Sequence, residues 1–385
     1  MIQRVNSVPA FDIQQQYARI EAEVSASVLE VLANGRYIGG PIVTSFEQQF
    51  AAYHGVDECV ACNSGTDALY LSLRALKIGQ GDEVITTPFT FIATAEVISA
   101  TGAKPVFVDI DTTTFNLDVT AIAAAITSKT KAIIPVHLFG QPVDMTGLME
   151  IAQSHNLAVI EDCAQSTGAI WDGKKVGTIG QVGCFSFYPT KNLGACGDGG
   201  AIITNDPAIA VQLRILRDHG SKVKYIHEEI GVNSRLDAIQ AAILRIKLPL
   251  LDTWNYQRQL LANNYSESLS QVPEIVIPQE LPGGVGVWNQ YTIRVSGDIR
   301  NGASAKYRDW VRERMQEQGV SSMVYYPRPL HLQPVYQNLG YAVGQFPGAE
   351  RVSHEVISLP MFPELTQEQQ AQVISTLKDC LAYTA

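Results

Sequence analysis

The sequence predicts an α/β protein in two parts. A large domain is built on a mainly parallel mixed sheet covered by helices, and a smaller α+β domain follows it. Three observations carry this expectation. Short apolar runs alternate with helical periodicity through the first half of the chain, the pattern of strands buried on both faces. After Pro249 the rhythm changes to longer helical stretches with few strand-like runs. The chain also has 385 residues, long for one hydrophobic core, so two domains are expected at 1–250 and 251–385.

Tyr17, Ile20, Val24, Val28 and Val31 recur at three- and four-residue spacing and predict a helix over 14–33, with the small domain as a candidate packing partner. Strands are expected at 59–62, 83–87, 105–109, 132–137, 158–161, 184–188 and 201–204, with helices at 67–76, 145–155 and 209–216 among the intervals. Leu236, Ile239, Ile243 and Ile246 mark a helix starting near Arg235, with Ser234 as its cap and Asp237 three residues on. Beyond the break at Pro249, helices are expected at 254–269, 306–318 and 367–381, and strands at 290–295 and 322–326. The stretch 278–287, rich in glycine and proline, reads as the most flexible loop.

Charged residues make up 17% of the chain, below the ~25% of average soluble proteins, which suits a large interior and buried subunit contacts. A net charge of −10 argues against nucleic-acid or anionic-membrane partners. The six cysteines are scattered and form no secreted disulfide framework. Cys59 and Cys62 make a CxxC, but no second ligand pair follows at zinc-like spacing; alternation makes this a buried strand, and no metal is expected. There is no signal-peptide pattern and no apolar run near the ~20 residues that cross a bilayer. A cytoplasmic protein is expected.

The chemistry centres on Lys191, in the run Phe185-Ser186-Phe187-Tyr188-Pro189-Thr190-Lys191-Asn192, and on Asp162, after the apolar run Leu157-Ala158-Val159-Ile160. A lysine in a polar turn after an aromatic strand, with an aspartate at another strand's end, is what pyridoxal phosphate chemistry requires. The amine condenses with the cofactor aldehyde, and the carboxylate keeps the pyridine nitrogen protonated. Taken singly, Lys191 reads as a solvated lysine and Asp162 as a strand terminator. The aromatic residues before Lys191 and Gly194, Gly197, Gly199 and Gly200 after it instead suggest a packed loop. The turn Asn63-Ser64-Gly65-Thr66-Asp67 leaves a strand and enters a helix, so its amides suit a phosphate; an ordinary cap with Asp67 on the helix dipole is the other reading. It is not a dinucleotide fingerprint, since GxGxxG is absent there, which argues against a nicotinamide-dependent oxidoreductase.

The stretches 35–41, 63–69, 81–85, 87–94, 135–140, 161–168, 185–200 and 231–242 resemble, in order, the DegT/DnrJ/EryC1/StrS family of sugar aminotransferases, a branch of fold-type I pyridoxal phosphate enzymes. The resemblance spans about residues 10–380. It implies that Lys191 holds the cofactor and Asp162 meets its ring nitrogen. Phe91 would stack on the ring, Gln165 lie near its hydroxyl, and Gly65, Thr66 and Ser186 bind the phosphate. Asn233 would reach the phosphate from the neighbouring subunit, which implies a homodimer with shared active sites. Tyr188, Tyr326 and His331 are candidate substrate contacts. Many relatives read His-Tyr-Pro where this chain has Tyr325-Tyr326-Pro327. Lysine rather than histidine at position 191 favours transamination over removal of a hydroxyl. The implied substrates are a nucleotide-linked keto-sugar and an amino donor, L-glutamate, in ping-pong order. The stretch 217–247 looks closest to relatives that aminate the 3-position, with a 4-keto-sugar as the alternative. A non-catalytic regulatory or accessory homologue is the competing reading.

Overall fold

The structure is a computed structural model and describes residues 7–296 and 304–382. Seven strands form the main sheet: β1 Glu58–Cys62, β2 Glu83–Thr86, β3 Lys104–Phe107, β4 Thr130–Ile133, β5 Ala158–Asp162, β6 Val182–Ser186 and β7 Gly200–Thr204. Their spatial order is β1-β7-β6-β5-β4-β2-β3, and only β7 runs against its neighbours. The expected mainly parallel mixed sheet is therefore present.

Among the described residues, the α-helices of eight or more residues are α1 Ile13–Asn34, α2 Pro41–His54, α3 Gly65–Ala75, α4 Ala93–Ala100, α5 Met145–Ser154, α6 Pro207–Leu216, α7 Ala238–Lys247, α8 Leu251–Leu269, α9 Ser304–Glu317, α10 Pro347–Glu355 and α11 Gln367–Ala382. One sheet face packs Leu69, Leu71, Val97, Ile98 and Leu213 from α3, α4 and α6. The other packs Phe46, Phe50, Met145, Leu148, Ala241 and Leu244 from α2, α5 and α7. Strand alternation sends Cys59 and Ala61 to one core and Val60 and Cys62 to the other. The two thiols of the CxxC thus lie on opposite faces and cannot share an ion.

A second core gathers Leu261, Tyr265, Tyr291, Ile293, Tyr307, Val311, Ile357 and Leu377 around the antiparallel strands β8 Ile275–Val276, β9 Tyr291–Val295 and β10 Val356–Leu359. The amino-terminal contact with this core comes from Val8, whose amide donates to Gly319 at 2.8 Å. Helix α1 packs instead on α7, through Ile20, Val24 and Ile243.

Several expected elements differ. β4 stops at Ile133 because Pro135 has no N–H for the ladder; only Val136 bridges onward, to Asp162. No continuous strand forms over 322–326. Val320 pairs with Val8 and Met323 with Ser358, so the segment bonds to different partners in turn. α7 starts at Ala238 rather than near Arg235, because the Ser234 hydroxyl donates to Asn63 Oδ1 at 3.1 Å and caps no helix. α8 begins at Leu251, three residues before the expected start. The stretch 278–287 is pinned to segments from the first half of the chain, with Gly284–Val285 paired to Ile170–Trp171 and the Gln279 amide bonded to the Thr113 carbonyl.

Candidate active site

The parallel strands deliver their carboxyl ends to one edge of the sheet, where ligands bind in open α/β folds. Asp162 is the last residue of β5 and is 4% exposed. Its Oδ1 accepts the Ala164 N–H at 3.1 Å, and its Oδ2 accepts the Thr94 hydroxyl at 2.9 Å. Burial pushes the carboxyl above its ordinary range, opposed by these two hydrogen bonds and by the Lys191 charge. Lys191 lies in the turn after β6, its amide bonded to the Tyr188 carbonyl at 2.8 Å. Desolvation draws its ammonium down to about 8, and the Asp162 charge works the other way.

The turn is held from outside. Asn192 donates to Asn255 Oδ1 at 2.7 Å and to the Val287 carbonyl at 2.8 Å, and accepts from Asn289 Nδ2 at 2.8 Å. Lys247 Nζ donates to the Gly194 carbonyl at 2.7 Å. A side chain at Gly194 would strike the Pro189 backbone, so the turn closes only with glycine there.

At the start of α3, Ser64 Oγ accepts the Asp67 N–H at 3.1 Å. The amides of Gly65 and Thr66 precede the helix's own acceptors and point out of its first turn. A Cβ on Gly65 would lie 2.6 Å from Ser186 Cβ, so the helix start and the end of β6 are in contact. This cradle of amides and a hydroxyl fits a phosphate. Asn233 is exposed, and its neighbour Ser234 is bonded to Asn63 just before the cradle.

Phe91 leaves 57% of its surface exposed, and its ring centroid lies 6.3 Å from that of Tyr326. Gln165 Nε2 donates to the Tyr326 hydroxyl at 3.4 Å, while Gln165 Oε1 accepts the Phe139 N–H at 2.6 Å. Burial, and then the nearby Asp162 charge, push the Tyr326 phenol far above its ordinary value. Tyr188 is 54% exposed beside Lys191. His331 is not placed for substrate. It is 1% exposed, bonds Glu350 Oε1 at 3.1 Å and lies against Phe346. Burial lowers its pKa, with Glu350 opposing. Its contribution is to the segment whose Leu330 amide anchors the Pro88 carbonyl at 2.7 Å.

Two features had no assigned role in the sequence reading. One is Thr94, which falls inside the quoted stretch 87–94. The other is Glu161, whose carboxylate accepts the amides of Gly177, Ile179 and Gly180 at 2.7, 2.8 and 2.6 Å and His137 Nε2 at 3.0 Å. His137 Nδ1 accepts the Val143 N–H at 3.0 Å. His137, Glu161 and Cys163 bring ligand-type atoms within 4.8 Å of one another. Since both ring nitrogens and both carboxylate oxygens are already bonded, the group acts as a buttress behind Asp162.

A family model described as the DegT/DnrJ/EryC1/StrS aminotransferase family matches residues 18–378. The chain is 49% identical over 375 residues to a protein of Geobacillus stearothermophilus named "pleiotropic regulatory protein", covering 97% of this chain and 98% of that one. It is 43% identical over 372 residues to the dTDP-3-amino-3,4,6-trideoxy-alpha-D-glucose transaminase of Streptomyces venezuelae, covering 97% and 96%. Among solved structures, S. venezuelae DesV in complex with a ketimine intermediate matches with a TM-score of 0.92 at 44% identity, over 97% of this chain and 98% of that one. Among the described residues, no helix is long and apolar enough to cross a membrane.

Proposed function

The chain belongs to the DegT/DnrJ/EryC1/StrS aminotransferase family, and we propose that it transfers an amino group to a keto-sugar carried on a nucleoside diphosphate, with pyridoxal phosphate as cofactor. The observation that carries this reading is the pairing of the buried Asp162 at the end of β5 with Lys191 in the turn after β6, near enough for their charges to act on one another. When bound, the cofactor supplies an aldehyde that holds the amine in transit and a ring that draws electrons.

The residues fit that group end to end. Gly65 and Thr66 amides and the Ser186 hydroxyl would hold the phosphate, Phe91 would cover the ring, and Gln165 would lie near the ring hydroxyl. Asp162, when ionised, would keep a proton on the ring nitrogen through its negative charge. With a pKa near 8, Lys191 Nζ exists in both protonation states around neutral pH, so one atom can take a proton from the donor's α-carbon and return one later. Asn233 reaches the phosphate of the other protomer in a homodimer, a role supported by its exposed position. Tyr188 and Tyr326 border the sugar. The donor is L-glutamate, and the Streptomyces relative's name supports amination at the 3-position. Two unlike substrates use one site in turn, which requires ping-pong kinetics.

The Geobacillus relative is named a regulatory protein, which supports a regulatory role as a second reading. Borohydride treatment of the loaded protein, followed by peptide mapping, tests the assignment. Label on Lys191 supports it, and label on another lysine, or none, refutes it.

A further inference from the structure

We infer that Thr94, backed by Thr90, is a positioning residue for Asp162: a directed pair of buried hydroxyls that holds the carboxylate in one orientation. The inference rests on the reading that Asp162 serves the cofactor ring. Thr94 is 1% exposed and Thr90 3% exposed. Thr94 Oγ1 lies 2.9 Å from Asp162 Oδ2 and 3.3 Å from Thr90 Oγ1. A threonine hydroxyl has one proton to give. Given to Asp162, it leaves Thr94 Oγ1 as the acceptor of the Thr90 proton, so the chain runs Thr90 to Thr94 to Asp162. Hydrogen bonds to a charged acceptor are the strong ones, and the first link strengthens the second.

The placement of these two threonines gives the pair its consequence. Between them in sequence stands Phe91, the exposed aromatic of the proposed ring site. The Thr94 amide closes on the Phe91 carbonyl at 3.4 Å, and the Phe89 amide on Thr87 Oγ1 at 3.1 Å. From the far side, Leu330 anchors Pro88. The segment that presents Phe91 is therefore tied by a hydroxyl to the carboxylate of a strand 68 residues away. Ala164 holds the other carboxylate oxygen. With both oxygens fixed, Asp162 cannot rotate without breaking a buried bond.

Thr94→Val keeps the shape and deletes the donor, Thr94→Ser keeps the donor, and Thr90→Val deletes only the outer link. The readouts, on protein loaded with pyridoxal phosphate, are the pH midpoint of the visible absorption band, kcat and KM for the amino donor, and thermal stability. Thr94→Val should move the midpoint by roughly half a pH unit or more and lower kcat on the order of tenfold, with KM changed by less than about threefold. Thr94→Ser should restore both, and Thr90→Val should give a smaller change in the same direction. A folded Thr94→Val with unaltered midpoint and kcat overturns the inference, as does failure of Thr94→Ser to restore them. Should Thr94→Val not fold, an unmoved midpoint in Thr90→Val overturns it equally. Asp162→Asn separates the levels. If it leaves the band and rate unchanged, the assignment of Asp162 itself fails; if it changes them while Thr94→Val is silent, only this inference fails.

Discussion

Replacing Lys191 with methionine should make the cofactor-free protein more stable at neutral pH while abolishing turnover. Folding lowers the Lys191 pKa from 10.5 to about 8. Below the lower value both folded and unfolded chains are protonated, and the full cost of desolvating the ammonium is present. Between the two values the unfolded chain binds a proton that the folded protein does not, so stability rises with pH across that window. At 1.36 kcal/mol per pH unit the gap amounts to about 3 kcal/mol, and partial solvent screening brings it to about 2–3 kcal/mol. Methionine keeps an unbranched chain of similar reach and removes the charge. Urea melts of both cofactor-free proteins, at one fixed protein concentration because subunit association adds to stability, should place the variant's midpoint higher at pH 7. The difference should shrink steadily towards pH 10. Equal or lower stability of Lys191→Met at pH 7, or a gap that ignores pH, would refute the claim that this amine is held desolvated.

Asp162→Asn should retain the cofactor yet slow both half-reactions on the order of 10²-fold or more; stopped-flow rates matching the wild type would move the ring partner elsewhere. Glu161→Ala orphans three backbone amides and the His137 donor, and should cost about 3–5 kcal/mol in chemical denaturation; a loss under about 1 kcal/mol would show that the buttress is dispensable. Mixing Lys191→Ala with Asn233→Ala under subunit exchange should raise activity above either protein alone, because one site of the heterodimer regains both residues. If exchange is demonstrated and Asn233→Ala is clearly impaired by itself, an absent rise would assign Asn233 to its own subunit.

The sheet was readable because burial on both faces forces near-continuous apolar strands such as Gly200–Thr204, in which every residue is buried. Two candidate site residues were readable for a related reason: Asp162 follows such a run and Gly65 lies in the turn after one, whereas Ser186 fell inside the strand expected at 184–188 and was picked out only by the family resemblance. Hydroxyls and carboxylates that bond across the fold left no local trace. Ser234 sits where a capping serine would, yet its proton goes to Asn63, 171 residues away. Thr94 and Asp162 are 68 residues apart, and nothing in either neighbourhood announces the other. His331 was a candidate substrate contact, and its sequence neighbourhood gives no sign of Glu350 and Phe346, which pack against it. The strand expected at 322–326 failed because β-propensity cannot tell one continuous partner from two discontinuous ones.

The visible spectrum of the pyridoxal phosphate-loaded protein, followed through the two half-reactions, decides whether this chain transfers an amino group between glutamate and a keto-sugar. Addition of L-glutamate should bleach the band and release 2-oxoglutarate in equal amount. Subsequent addition of a nucleotide-linked 3-keto-sugar should restore the band and yield one amino-sugar per site. A band that no amino donor bleaches, or one that returns without formation of an amino-sugar, would rule out transamination to a nucleotide-linked keto-sugar.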